Sequence, residues 1–136
     1  MKRLLTVVLC CFVAGAGCAP APTLTLDQIQ THRVIAADKA SLMDAARMFT
    51  IQEQFKISSF EAETGRVIAY RNTALSRQNE TRLIILHLSI VQLSATESEV
   101  DARFAFSDSP GALTREQENV LVDCYTALFQ RLGLRP

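Results

Sequence analysis

Histidine is scarce in this chain of 136 residues, where His32 and His87 are the only two. An unperturbed imidazole titrates near neutrality, so two isolated copies leave little material for general acid–base work or for a metal centre. Neither histidine belongs to an HExxH pattern, no CxxC is present, and no Asp or Glu cluster has metal-ligand spacing. No catalytic residue, metal or cofactor is assigned from the sequence. An excess of one charge is also lacking: 14 basic residues face 14 acidic ones, and no basic patch of the kind nucleic acid demands is visible. Glycine is sparse, and Gly65, Gly111 and Gly133 lie too far apart to form a loop that cradles phosphate. Internal repeats and low-complexity tracts are absent. The apolar stretch at residues 4–13 is only ten residues long, too short to cross roughly 30 Å of hydrocarbon.

That short stretch has a different meaning in its context, MKRLLTVVLCCFVAGAGC. Lys2 and Arg3 make a basic start, residues 4–13 an apolar middle, and Ala14, Gly15, Ala16 and Gly17 a run of small side chains before Cys18. These are the three parts of a secretory signal. The run resembles the lipobox of bacterial lipoproteins, although Gly15 stands where an aliphatic residue is common. The resemblance implies that Cys18 is the lipidation site and first mature residue, with residues 1–17 removed as a signal peptide. Ordinary cleavage after Ala16 or Ala19 is the alternative.

One buried acyl chain holds a protein to a membrane only marginally, whereas the three of a lipoprotein anchor it stably. The membrane is therefore the expected partner through Cys18. Ala19, by resemblance to Gram-negative lipoproteins that keep an inner-membrane position through Asp there, favours an outer-membrane location facing the periplasm. The inner membrane or a secreted periplasmic form is the alternative. Residues 18–30 read as a lipidated tether, stiffened by Pro20 and Pro22.

Removing residues 1–17 leaves 119 residues carrying 12 basic and 14 acidic side chains, a net charge of −2. That length suits one domain, expected over residues 31–136. With Cys18 consumed by lipid, Cys124 has no partner for an intramolecular disulfide, so the hydrophobic core must supply the stability.

The periodicity predicts an α+β domain in the order β-α-β-β-β-β-α, an antiparallel sheet of four to five strands with two helices on one face. A short strand is expected at 33–37. Asp38 or Ser41 then caps a helix starting near Leu42 and ending near Gln54, with Leu42, Ala45, Ala46 and Phe49 inward and Met43, Asp44, Arg47 and Thr50 outward. A strand restarts at Phe55, turns through 61–65 at Gly65, and returns with Val67 and Ala69 alternating against Arg66 and Ile68. Residues 72–80 lack an apolar period and read as a loop.

The longest strand is expected at 81–93, with Ile84, Leu86, Leu88 and Ile90 on its buried side. Residues 94–99 read as a turn. Val100, Ala102, Phe104 and Phe106 then give the cleanest alternation in the chain. Thr114 and Gln117 form a capping box for a second helix over 115–131, whose stripe is Leu121, Cys124, Tyr125, Leu128 and Leu132, with Gly133 as its cap.

The strand–helix order, Phe55-x-Ile57, Gly65-x-Val67-x-Ala69 and Tyr125-Thr126-Ala127-Leu128-Phe129 resemble small uncharacterised Gram-negative envelope lipoproteins. They also look distantly like the helix-and-sheet modules of the accessory lipoprotein of the outer-membrane protein assembly machine. Such families often place glycine before the Phe of the second strand, where this chain has Gln54. The resemblance implies a fold and has little bearing on activity.

Reactive side chains have plain readings. His32 precedes a strand and His87 lies on the more polar face of another, as solvated or hydrogen-bonded side chains. Cys124 sits in an apolar helical stripe, where a thiol packs as a small hydrophobe. Glu61 and Glu63 are paired carboxylates beside a turn, read as solvated. The expectation is a membrane-anchored envelope lipoprotein acting as a non-catalytic binding or assembly module, with an envelope protein complex as its candidate partner. Its surface would be an apolar patch along Ile85, Val91 and Leu93 or a free sheet edge. The alternatives are a small tethered periplasmic enzyme or enzyme inhibitor, which needs a pocket with convergent polar groups, and a purely structural lipoprotein.

Overall fold

Alternating apolar positions decide where the sheet's two faces lie. In a computed structural model, which describes residues 24–76, 79–108 and 111–134, the strands are β1 (His32–Ile35), β2 (Lys56–Glu61), β3 (Arg66–Leu75), β4 (Glu80–Ser94) and β5 (Glu97–Phe106). They form one antiparallel sheet in the order β1-β5-β4-β3-β2. Helices α1 (Lys39–Gln52) and α2 (Arg115–Arg131) pack together on one face. The expected α+β class and element order are both observed.

The inner face carries Val67 and Ala69 from β3, Ile84, Leu86, Leu88 and Ile90 from β4, and Val100, Ala102, Phe104 and Phe106 from β5, all buried. Strand neighbours pair on the same side, for example Leu86 with Phe104 and Leu88 with Ala102. Each large apolar side chain removed from water contributes about 1.5–3 kcal/mol. This face therefore sets the register, because a one-residue slip would turn every one of these side chains outward.

Leu121, Cys124, Tyr125, Leu128 and Leu132 cover the sheet from α2, as their spacing predicts, joined by Phe129 and Gln117. Tyr125 also completes the backbone hydrogen bonding of β5. β1 pairs only as far as Asp101, and Thr31 accepts from the Ala102 amide at 2.9 Å. Beyond that point the Phe104 amide donates to the Tyr125 hydroxyl at 2.9 Å, so a helix side chain takes over where the short strand has ended.

Some boundaries differ from the sequence expectation, for local reasons. Helix α1 begins at Lys39 rather than near Leu42, because Asp38 is the cap and its carboxylate accepts from the Ser41 amide at 2.7 Å. That hydrogen bond holds the Asp38 carboxyl below its usual range. Met43 and Thr50, expected outward, are buried, because α1 lies against both the sheet and α2 and so needs a wider inward arc. The Thr50 hydroxyl is satisfied by donating to the Arg47 carbonyl at 2.6 Å.

Helix α1 ends at Gln52 rather than near Gln54. Gln54 adopts a positive φ of 59°, its amide bonds Ile51 O at 3.4 Å, and Phe55 N bonds Thr50 O at 2.8 Å. This is a Schellman ending. The strand expected at 33–37 is shorter, ending at Ile35. Residues 72–75 are strand instead of loop, and the turn expected over 94–99 tightens to Ala95 and Thr96. Leu26 and Ile29, within the segment read as tether, pack against the core.

Gly65 is required at its turn. Its φ is +72°, and a Cβ there would lie 1.9 Å from the Ile90 carbonyl oxygen. The Gly65 carbonyl in turn accepts from the Ile90 amide at 2.8 Å, which ties the β2–β3 turn to β4.

Candidate functional site

The opposite face of the sheet is left open by the helices and bears a groove of about 600 Å³. Four strands build it: Ser59 and Glu61 from β2, Arg66 from β3, His87 and Ser89 from β4, and Asp101 and Arg103 from β5. Register explains the assembly. His87 pairs with Arg103 and with Ile68, Ser89 with Asp101 and Arg66, and Glu61 with Arg66, so alternate positions of adjacent strands bring these groups onto one surface.

Charges of both signs meet in this groove. Arg103 Nε lies 3.7 Å from Asp101 Oδ1, and the Arg103 side chain is 76% exposed. Glu61 accepts from Thr64 Oγ1 at 2.7 Å and from Ser59 Oγ at 3.5 Å. Exposed pairs of this kind contribute at most about 1 kcal/mol to stability, which leaves the groups available for a ligand or partner.

The residues singled out in the sequence separate into groups. His87 and Glu61 both line the groove. His32 starts β1 opposite Asp101, and its Nε2 lies 2.9 Å from Glu99 Oε1, beside the groove. Glu63 stays outside it, with its carbonyl accepting from Lys39 Nζ at 2.6 Å. Val91 and Leu93 are exposed and Ile85 is partly covered. Cys18 lies outside the described residues. The sequence reading missed Arg66, Asp101 and Arg103 as members of a common surface, because only strand pairing brings them together.

Cys124 points into the core on the other side of the sheet. Arg71 Nη2 approaches its Sγ at 3.3 Å, a contact that favours thiolate. Burial outweighs it and pushes the thiol up to about 11. A nucleophilic cysteine needs the opposite balance. Arg71 is occupied structurally: its guanidinium lies over the Phe55 ring at 4.7 Å and donates to the Glu53 carbonyl at 2.9 Å. Among the described residues no group of three or more His, Cys, Asp or Glu side chains could hold a metal ion. No described helix is long and apolar enough to cross a membrane.

No family model matches this chain, and no curated protein matches it in sequence. Similar solved structures exist. The adenylate sensor of AMP-activated protein kinase, solved in complex with the ribofuranotide ZMP, superposes with a TM-score of 0.53 at 8% identity, covering 77% of this chain and 97% of that one. A TBP-like protein from Parabacteroides distasonis gives a TM-score of 0.43 at 7% identity over 77% of this chain and 92% of that one. A DUF4468 family protein from Bacteroides ovatus gives 0.42 at 10% identity over 77% and 88%. The first likeness shows that the chain shares a known α+β fold.

Proposed function

We propose that this chain is a lipid-anchored protein of the bacterial cell envelope, held in the outer membrane through Cys18, whose domain is a non-catalytic binding or assembly module. The observation that carries the binding part is the uncovered sheet face: the helices leave one whole side open, and that side gathers Glu61, Arg66, His87, Asp101 and Arg103 into a groove. Such a surface offers complementary charge and hydrogen bonding to a partner. The buried, protonated Cys124 weighs against a tethered enzyme that uses a cysteine nucleophile. The anchor rests on the lipobox-like run ending at Cys18.

Two measurements test the two halves of this reading. Cys18→Ser should abolish incorporation of labelled palmitate and leave unprocessed precursor, because only a thiol can take the diacylglyceryl group. Normal maturation of that variant would overturn the anchor. A photo-crosslinking amino acid at Ser89 should give a protein adduct in intact cells, whereas the same probe at Asp123 on α2 should give none. Adducts confined to the helical side would overturn the open face as the binding surface.

A further inference from the structure

The outer edge of β2 is written as its own complement. Read from either end, Lys56-Ile57-Ser58-Ser59-Phe60-Glu61 runs charge, apolar, serine, serine, apolar, opposite charge. An edge strand exposes unpaired amides and carbonyls, and β2 is the longer of the sheet's two edges, with six residues against four in β1. We infer that β2 is a homotypic pairing edge at which a second copy of this chain adds antiparallel, through a two-fold axis normal to the sheet between Ser58 and Ser59.

The bulge in β2 is what makes that pairing possible. In a regular strand Lys56 and Glu61 point to opposite faces, and so do Ile57 and Phe60, so neither pair could meet across a two-fold normal to the sheet. The register shifts between Ile57 and Ser59, and the alternation is reset. Lys56 and Glu61 consequently pair with Tyr70 and Arg66, both on the open face. Ile57 and Phe60 pair with Ala69 and Val67, both on the helix-covered face. Across the axis Lys56 then faces Glu61 of the second copy twice, and Ile57 faces Phe60 twice.

The surroundings agree with this occupant. Lys56 has no ion pair among the described residues, and Ile57 is 42% exposed for a side chain on the helix-covered face. Arg47 of α1 covers the Phe60 ring at 4.3 Å, and Ile51, one helical turn further along the same side, is 63% exposed. An edge lysine ordinarily repels a foreign strand. Here it selects one that presents a carboxylate five residues later, which this strand itself supplies. Ser59 and Glu61 also line the groove, so pairing would set two grooves side by side on one continuous sheet.

The test uses the full chain as it matures in cells, purified from membranes in detergent, with mass followed by light scattering and sedimentation over a wide concentration range. The wild type should dimerise reversibly. Lys56→Glu and Glu61→Lys should each weaken the dimer by at least about tenfold, because each places like charges opposite one another twice. The double variant Lys56→Glu/Glu61→Lys should restore it, and mixing the two single variants should give a heterodimer. Far-UV circular dichroism checks that each variant is folded. A chain that stays monomeric at all concentrations, a dimer indifferent to both single variants, or a double variant that fails to recover would each overturn the inference.

Discussion

Residues one position apart on the same strands live under different rules. Leu86 and Phe104 face each other beneath the helices and are buried, while their chain neighbours His87 and Arg103 face each other in the open groove. The inner face is specified by volume and exclusion of water. The open face is specified by charge and reach. Three arginines mark the border on the inner side: Arg33 lies over Phe129 at 4.7 Å, Arg47 over Phe60 at 4.3 Å and Arg71 over Phe55 at 4.7 Å. Their aliphatic stems and flat heads cover aromatic rims while the charge reaches water.

The sharpest way to break this contrast is a pair of neighbouring substitutions on β5. Phe104 contacts Phe49, Phe55 and Tyr125 at ring separations of 6.0, 5.9 and 4.8 Å. Phe104→Ala leaves a cavity among β5, both helices and the α1–β2 connection and should destabilise by about 3–5 kcal/mol. Arg103→Ala removes one exposed contact and should change stability by less than about 0.5 kcal/mol. Urea titrations of both variants check this, and equal midpoints would refute the assignment of faces.

How legible this contrast is in the sequence depends on the face. Alternation at 84–90 and 100–106 and the Thr114–Gln117 capping box are local signals, and each survives folding; the Thr114 amide bonds Gln117 Oε1 at 2.9 Å. Residues 72–75 failed as a strand by pattern alone, since an open outer face permits Asn72 and Ala74, and Arg71 takes an inward position that periodicity reserves for an apolar residue. Met43 is buried off the predicted stripe because a helix packed on two neighbours buries more than one stripe. The groove was illegible for a deeper reason. Its residues are far apart in sequence, and pairing across four strands, absent from any local pattern, makes them neighbours.

A smaller effect should come from the inner face at alkaline pH. Burial raises the Cys124 thiol from 9.0 to about 11, so the unfolded chain loses this proton first as pH rises. Between those values the unfolded state binds fewer protons than the folded one, and stability must fall with increasing pH. The loss from this group reaches on the order of 2 kcal/mol by pH 11 and is absent below about pH 8. Cys124→Ala should remove this part of the pH dependence while lowering stability modestly at neutral pH. Urea titrations of both proteins at pH 8 and pH 10.5 measure it; an unchanged slope in the variant would show that the thiol is not shielded as its position implies.

The smallest expected effect lies at the rim, where two helix ends adopt one geometry with different residues. Helix α2 closes with Gly133 at φ 88°, its amide bonding Gln130 O at 3.1 Å while Leu134 N bonds Phe129 O at 2.8 Å. Helix α1 closes with the same pair of bonds, yet the left-handed position is Gln54 at φ 59°. A side chain there costs about 1–2 kcal/mol relative to glycine. The inner face offsets that strain. Phe55, next in the chain, is buried and packs on Phe49 at 5.5 Å, so the ending is held from the core side. Gln54→Gly should relieve the strain but loosen the unfolded chain, for a net gain of about 0.5–1 kcal/mol. Thermal unfolding of Gln54→Gly beside the wild type decides the point. A loss of stability would mean that the Gln54 side chain does more for this corner than its backbone angle takes away, and that packing alone does not define the boundary between the two faces.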